Sequence, residues 1–280
     1  MAPRVTVVVV SYDTRDDLVR CLDHLARQDE PVEVIVFDNG SRDGSANVAR
    51  RTGVRLFASP ANQGYAAATN QAVRKARGRL ILLLNPDAFL PTDGARRLAD
   101  LLEDDPSLGG VAPQLVGEDG RVQRTCRRLP KTWDLLCELT GLSRMFPRSG
   151  LFNRWKMGDT DHAEERRVEQ VYASCWMLRK DEFNALGGFD TRFPIFFNDV
   201  DLARRLVRAG RLTLYYPQVK VIHRGGTSVK KIRARSVLWS HRAFYRYLKE
   251  NGPRFNPLLW LLTLPLAVAA PLRVLWREVC

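Results

Sequence analysis

The sequence predicts an α/β fold: a mostly parallel central sheet flanked by helices, followed by a separate C-terminal helical segment. Three observations carry this expectation. Short β-branched or aliphatic runs alternate with segments of helical period through the first third of the chain. Three of those runs lead into polar loops that hold an acid, at 11–13, 38–40 and 85–87. Open α/β sheets bind their ligands at such positions, beyond the carboxyl ends of the strands. Past residue 231 the chain turns aromatic and basic, then apolar. We therefore expect one domain over 1–231 and a C-terminal helical, membrane-associating segment over 232–280.

The elements follow in order. Residues 5–10 form a β-branched run suited to a strand covered on both faces. Residues 16–27 carry Leu18, Cys21, Leu22 and Leu25 at helical spacing. Strands are expected at 32–37, 54–57 and 80–84, with helices at 41–51 and 62–77, the latter stopped by Gly78. The second half predicts strands over 109–116 and 168–178, a short helix over 181–186 and an amphipathic helix over 200–208. Short strands follow at 212–216 and 219–222, and residues 144–167 read as an irregular flap.

Residues 236–248 read as an aromatic, basic helix. Residues 257–276 are almost wholly apolar, interrupted by Pro265 and Pro271 and bordered by Arg254, Arg273 and Arg277. The uncharged stretch 257–272 is short of the roughly 20 residues a spanning helix requires, and the prolines disfavour a straight one. An interfacial hairpin is expected, with Trp260 and Trp276 at head-group depth. A buried helix or a dimer contact is the alternative use of the same segment.

Composition narrows the function classes. The chain has 280 residues and is 45% hydrophobic, enough for a sizeable core. Its formal net charge of +13 favours anionic partners. The arginines are scattered and not clustered, which argues for nucleotides and lipid head groups and against nucleic acid. Five cysteines without C-x-x-C spacing fit neither a zinc knuckle nor a disulfide framework, and point to reduced thiols in a cytoplasm. Residues 1–4 lead straight into the first strand-like run, with no signal segment between, so secretion is not indicated.

The polar loops hold the chemistry-bearing residues. Asp38, at a strand end, can accept hydrogen bonds from a base N–H or a ribose hydroxyl, although Asp38-Asn39-Gly40 is also a strong turn signal. Asp87, in Asn85-Pro86-Asp87, is a hard-oxygen ligand suited to Mg²⁺ or Mn²⁺, or else a turn cap. Asp199 and Asp201 precede an amphipathic helix, where a carboxylate is either a base or a charge favoured by the helix dipole. Phe196 and Phe197 would desolvate Asp199. His223 precedes Arg224-Gly225-Gly226, an imidazole able to ligate a cation beside backbone and guanidinium donors for phosphate.

The ordered combination resembles family 2 glycosyltransferases of the GT-A fold, and among them the rhamnosyltransferase-like group. The matching pieces are Val9-Val10-Ser11-Tyr12-Asp13, Val36-Phe37-Asp38-Asn39-Gly40-Ser41, Asn62-Gln63-Gly64-Tyr65 with Asn70, and Leu84-Asn85-Pro86-Asp87. Gly187-Gly188-Phe189-Asp190, Asn198-Asp199-Val200-Asp201-Leu202 and His223-Arg224-Gly225-Gly226 complete the series, over roughly residues 4–230.

The resemblance implies a metal-dependent, inverting transfer of a sugar from a nucleoside-diphosphate donor, foremost dTDP-L-rhamnose, to a glycan or polyprenyl-diphosphate-linked saccharide. It assigns Ser11, Asp13 and Asp38 to the nucleoside, and Asn62, Gly64 and Asn70 to the diphosphate-sugar. Asp87 and His223 would hold Mg²⁺ or Mn²⁺, and Asp199 would act as base. Trp176, Gly188, Phe189 and Asp190 would shape the acceptor site. The reaction would run at the inner face of the cell membrane. Three departures stand out: Asp13 where asparagine is common, Asn85 in place of the first acid of an Asp-x-Asp motif, and Asn198 where a glutamate usually precedes the base. UDP- or GDP-sugar transfer and a non-catalytic binding protein of the same fold are the alternatives. A sugar-phosphate nucleotidyltransferase would need a glycine-rich loop after the first strand, and Ser11-Tyr12-Asp13-Thr14 has no glycine.

Overall fold

The structure, a computed structural model, describes residues 3–225, 233–253 and 255–261. Strand β1 (Val5–Ser11) is buried along its whole length, as a strand covered on both faces must be. It pairs in parallel with β2 (Glu33–Asp38) on one side and β4 (Leu80–Leu84) on the other, and β2 pairs in parallel with β3 (Arg55–Ala58). The crossovers are α1 (Arg15–Ala26), α2 (Ser45–Arg51) and α3 (Tyr65–Lys75). These four strands share a direction, so the loops after β1, β2 and β4 open on one sheet edge. Gly78 enters β4 at a point where a side chain would stand 2.6 Å from the Thr6 nitrogen, so only glycine fits there.

Beyond β4 the sheet becomes mixed. Its order continues through β9 (Cys175–Arg179), β6 (Leu108–Val116), β10 (Leu212–His223) and β5 (Ala88–Phe89). Strand β9 runs antiparallel to β4, with Leu84 opposite Cys175, and β10 runs parallel to β6. Two short strands, β7 (Val122–Gln123) and β8 (Arg166–Val168), flank β6 and β10. The core packs Leu18, Cys21 and Leu22 of α1 with Val7 and Val9 of β1, and Leu82 and Leu84 of β4.

Several boundaries differ from expectation for local reasons. The strand expected over 168–178 is two strands, β8 and β9. The pair expected at 212–216 and 219–222 is one strand, with a register shift between Tyr216 and Lys220 around Pro217, which has no N–H to donate. The helix expected from residue 62 starts at Tyr65, because Gly64 takes a φ of 87°. A helix not expected from the sequence, α4 (Gly94–Asp104), buries Ala95, Leu98, Ala99 and Leu102. The stretch 144–167 is irregular over most of its length, with left-handed Met157 and His162, although it begins in α6 (Leu142–Met145) and ends in β8.

The described residues divide into two compact units. Those within Met1–Cys126 and His162–Ser228 carry the sheet, and those within Arg127–Asp161 and Val229–Cys280 form the second unit. Residues 127–161 thus pack with the C-terminal segment, although they lie inside the stretch 1–231 expected as one domain. The second unit contains α5 (Thr132–Thr140), α6, α9 (Arg233–Asn251) and α10 (Pro257–Leu261). Phe244 of α9 packs on Trp155 with ring centroids 5.0 Å apart, and Asn256 donates to Thr132 Oγ1 at 2.8 Å. No helix among the described residues is long and apolar enough to cross a membrane. Most of the apolar run 257–272 lies outside the described residues, as do Gly226 and Cys280. Four cysteines among the described residues are free and buried.

Candidate active site

Three loops meet at the open edge of the parallel strands. Ser11 and Asp38 are register partners at the ends of β1 and β2. Asp38 is 3% exposed, and its two oxygens differ. Oδ2 accepts the Ser41 N–H at 3.1 Å, closing the turn, whereas Oδ1 is buried and has no hydrogen-bond partner. A buried carboxylate oxygen without a donor is costly, and a ligand N–H or hydroxyl relieves that cost. Turn and binding readings of Asp38 thus apply to different oxygens of one side chain.

The neighbouring residues brace these loops. The Ser11 hydroxyl is buried against Thr14 Oγ1 at 2.9 Å. Asp13 is left-handed at φ 51°, accepts the Arg42 N–H at 2.8 Å and donates its own N–H to Ser41 Oγ at 3.1 Å, tying the β1 loop to the β2 loop. Asn39 donates to Asn62 Oδ1 at 3.0 Å and accepts the Gln63 N–H at 3.1 Å, and Asn62 Oδ1 also takes the Gly64 N–H at 2.9 Å. Gly64 lies against Pro194, where a side chain would stand 2.8 Å from Pro194 Cβ. Ser11, Asp13 and Asn62 therefore shape the loops at this sheet edge by hydrogen bonds to protein.

Asp87, in the turn between β4 and β5, and His223, at the end of β10, converge. His223, the last residue of β10, stands opposite Ala88 of β5, and the Arg224 N–H donates to the Asp87 carbonyl at 3.0 Å. Asp87 and His223 are 5% and 7% exposed, and His223 Nε2 lies 3.4 Å from Asp87 Oδ1. Gln123 sets the ring. Its amide nitrogen donates to the His223 carbonyl at 2.6 Å, which turns its oxygen to Nδ1 at 2.7 Å. With that assignment Nδ1 carries the proton and Nε2 presents a lone pair. Nε2 is buried without a hydrogen-bond partner, so two electron-pair donors face each other across a short gap. A cation between them resolves that conflict, and an oxygen–imidazole pair suits Mg²⁺ or Mn²⁺.

No group of three or more His, Cys, Asp or Glu side chains able to hold a metal exists among the described residues. Asn85 turns to Ser174, its N–H donating to the carbonyl at 2.9 Å and its side-chain amide to the hydroxyl at 3.2 Å. Arg224 pairs with Asp17 at 2.8 Å and Glu118 at 3.2 Å, so its guanidinium is held by carboxylates. Behind the site, burial and then the negative charges of Asp87 and Asp17 push the Cys21 thiol up and keep it protonated.

Asp199 opens α8 (Asn198–Arg208) after left-handed Phe197. The helix separates its two acids. Asp201 is buried and paired with Arg205 at 2.6 Å, with Arg204 a further 3.6 Å contact. Asp199 is half-buried, and its Oδ1 accepts the Val200 N–H at 2.8 Å. Asn198 is buried and staples the preceding turn by donating to Ile195 O at 2.9 Å and Phe193 O at 3.3 Å. The Tyr65 phenol is pushed up by burial, with the Asp199 carboxylate adding in the same direction.

The remaining expected residues split. Trp176 is fully buried in β9 opposite Leu83, so it fills the core and presents no face to an acceptor. The Asn70 amide is engaged away from the β1 and β2 loops: it donates to Phe189 O at 2.7 Å and accepts the Phe189 N–H at 2.8 Å. That clamp sets the Gly188–Phe189 turn, where a Gly188 side chain would stand 2.6 Å from Asn70 Oδ1. Phe189 is buried against Phe183, and Asp190 pairs with Arg192 at 2.6 Å. Asn70, Gly188, Phe189 and Asp190 line a cavity of about 490 Å³ together with Asp201, Arg204 and Arg205. Gln123 and Ser174 escaped the sequence reading, because neither stands in a motif and each acts through a pairing distant in the chain.

Comparisons with known proteins place this geometry. The family model described as glycosyl transferase family 2 matches residues 6–185. The N-acetylglucosaminyl-diphospho-decaprenol L-rhamnosyltransferase of Mycobacterium tuberculosis is 30% identical, over 96% of this chain and 92% of its own length. The rhamnosyltransferase WbbL of Escherichia coli is 22% identical, over 88% of this chain and 93% of its own. Among solved structures, the mannosyltransferase PcManGT from Pyrobaculum calidifontis, in complex with GDP-Man and Mn²⁺, superposes with a TM-score of 0.60 at 22% identity. The superposition covers 98% of this chain and 72% of that one, and it establishes a shared GT-A fold. The family match spans most of the sheet, and on that ground the chain belongs to glycosyl transferase family 2.

Proposed function

We propose that this glycosyltransferase moves L-rhamnose from dTDP-L-rhamnose to a hydroxyl of a polyprenyl-diphosphate-linked saccharide, with inversion and with a divalent cation. The observation that carries the reading is the buried Asp87–His223 pair, 3.4 Å apart with Nε2 unpartnered, at the sheet edge that also holds Asp38. The sugar and acceptor come from the name of the Mycobacterium tuberculosis relative, with which the chain aligns over nearly its whole length.

Asp38 Oδ1 accepts a donor group of the nucleoside, and the loops braced by Asp13 and Asn62 fix where that group lies. Asp87 and His223 hold the cation, which when bound neutralises charge on the departing diphosphate. Asp199 takes the proton of the acceptor hydroxyl as that oxygen bonds to the anomeric carbon and the bond from that carbon to the diphosphate oxygen breaks. Asp201 is unsuited to this task because Arg205 neutralises it. The basic charge of the chain and the apolar run 257–272 favour work at the cytoplasmic face of the membrane, where a lipid-linked acceptor resides.

The test is thermal stabilisation by dTDP, UDP and GDP, each with Mn²⁺ or EDTA, alongside transfer assays with dTDP-L-rhamnose. A ligand that binds only the folded state raises the melting temperature by mass action. We expect dTDP with Mn²⁺ to stabilise most, the shift to vanish with EDTA or in His223→Ala, and rhamnosylated product to form. Product formed only from a UDP- or GDP-sugar would overturn the donor assignment.

A further inference from the structure

The second unit carries an exposed apolar and basic turn that the transfer reaction does not use. Around α6, Met145, Phe146 and Leu151 are 69%, 45% and 59% exposed, three large apolar side chains within seven residues. They are not frayed ends. Phe146 packs against Phe152 and Phe152 against Trp133 as tilted rings, at centroid distances of 5.1 and 6.2 Å, and the Trp133 indole donates to Leu151 O at 3.1 Å. The tips are thus held outward by a packed aromatic base, at a steady cost in exposed apolar area that a covering partner would remove.

Charge identifies the partner. Residues 127–161 hold seven Lys and Arg against four Asp and Glu. Asp134, Glu138 and Asp159 are each taken by a cation, Arg154 at 2.6 Å, Lys156 at 2.6 Å and Arg128 at 2.8 Å. Lys131, Arg144 and Arg148 are exposed and enter no ion pair among the described residues. The surplus cations therefore border the apolar tips. A second exposed apolar group, Phe255, Trp260 and Leu261, belongs to the same unit and is joined to the first through the Asn256–Thr132 hydrogen bond. From there the sequence runs on as Leu262-Thr263-Leu264-Pro265-Leu266-Ala267-Val268. A surface that accepts apolar tips, supplies negative charge beside them and continues into an apolar medium is an anionic lipid bilayer.

We infer that the turn Arg144–Leu151, supported by α5, is a membrane-docking element that inserts Met145, Phe146 and Leu151 between anionic head groups while Arg144 and Arg148 pair with phosphates. This deepens the proposed function, since it brings the enzyme to the surface where a lipid-linked acceptor lies, but its test does not depend on which sugar is transferred.

The test is co-sedimentation of the full chain with vesicles of phosphatidylcholine alone or mixed equally with phosphatidylglycerol. We expect binding to the mixed vesicles, weakened by salt. Replacing Met145, Phe146 and Leu151 together by Glu should lower partitioning by about tenfold or more, given the apolar area withdrawn from lipid. An Arg144→Glu/Arg148→Glu variant, its apolar tips intact, should lose the preference for phosphatidylglycerol. Unchanged melting temperatures and unchanged stabilisation by dTDP with Mn²⁺ certify folding and an intact donor site. Wild-type-like vesicle binding by the triple variant overturns the inference and leaves lipid contact to residues 257–272. Loss of a solution dimer with vesicle binding unchanged also overturns it, assigning the patch to a second copy of the chain. Failure of rhamnose transfer by the wild-type protein, with vesicle binding intact, would count against the functional reading alone.

Discussion

Asp199 and Asp201 stand two residues apart on one helix, and their neighbours give them different work. Arg205 holds Asp201 through two nitrogens, at 2.9 and 2.6 Å, so that carboxylate is a structural anchor. Asp199 stays half-buried at the helix start beside Tyr65. Asp199→Asn should lower transfer by about 10²–10⁴-fold, the usual worth of a positioned base, with its melting temperature and nucleotide response intact. Asp201→Asn should instead lower stability by about 1–3 kcal/mol, because Arg205 loses its charged partner. Transfer assays and thermal melts on the two proteins separate the roles, and normal turnover by Asp199→Asn removes it as base. The sequence marked Asp38, Asp87 and Asp199 because strand ends and helix starts are readable locally. The i,i+4 spacing of Asp201 and Arg205 was readable as well, and the structure shows that pair formed. Gln123, by contrast, was invisible: it orients His223 from 100 residues away, through a two-residue strand without any periodic signal.

At the scale of elements, the loops at the open sheet edge are positioned by close backbone approaches that tolerate no side chain. Gly64 has a φ of +87°, and a Cβ there would meet Pro194 Cβ at 2.8 Å and Pro194 O at 2.9 Å. Gly53 has a similar φ of +73° and nothing within 4 Å. Gly53→Ala should therefore cost only the left-handed backbone penalty, about 1–2 kcal/mol. Gly64→Ala adds overpacking of about 1–3 kcal/mol and shifts the start of α3. Comparing denaturation of the two variants measures what Gly64 adds through its Pro194 contact and its ψ of 156°, a backbone region that side chains avoid, and equal destabilisation would show both to be soft. The parallel half of the sheet was legible because strands buried on both faces read as continuous aliphatic runs, as in 5–10 and 80–84. The antiparallel half was less so. Pro217 divides the β10 pattern, and the tight turns 170–174 interrupt what reads as a single run over 168–178. Helix α4 had a readable period in Ala95, Leu98, Ala99 and Leu102, yet no element was assigned there. Its packing against the sheet makes clear that the spacing was an amphipathic face.

At the scale of the whole molecule, long-range pairing decides both the architecture and the response to acid. The grouping of 127–161 with the C-terminal helices rests on contacts such as Asn256 with Thr132, which no local pattern announces. The same distance separates the groups that titrate. Glu33, at the start of β2, binds the Thr6 hydroxyl at 2.5 Å, the Arg77 N–H at 2.8 Å and the Arg55 guanidinium, drawing four segments of the first unit together. Burial alone pushes the Glu33 carboxyl up, but those hydrogen bonds and the Arg55 charge outweigh it and bring the carboxyl below its ordinary range. Glu103, half-buried and bonded to Arg4 and Arg79, is lowered in the same way, whereas Glu182 is raised because burial prevails over Arg211 and Arg179. A carboxyl lowered by folding contributes stability that is fully present above its unfolded-state value. That stability is lost as pH falls through the folded-state value. Glu33 and Glu103 should therefore make the fold acid-labile below the ordinary glutamate range, while Glu182 contributes the opposite trend. Glu33→Gln should destabilise by about 1–3 kcal/mol at neutral pH, since Thr6 and the Arg77 N–H keep a weaker acceptor and Arg55 keeps none of the charge. The gap between variant and wild type should close as the pH drops, because protonation makes the wild-type side chain neutral as well. Urea denaturation at neutral and acid pH measures that gap, and a gap that stayed constant would mean the network is held by shape and not by the charge of Glu33.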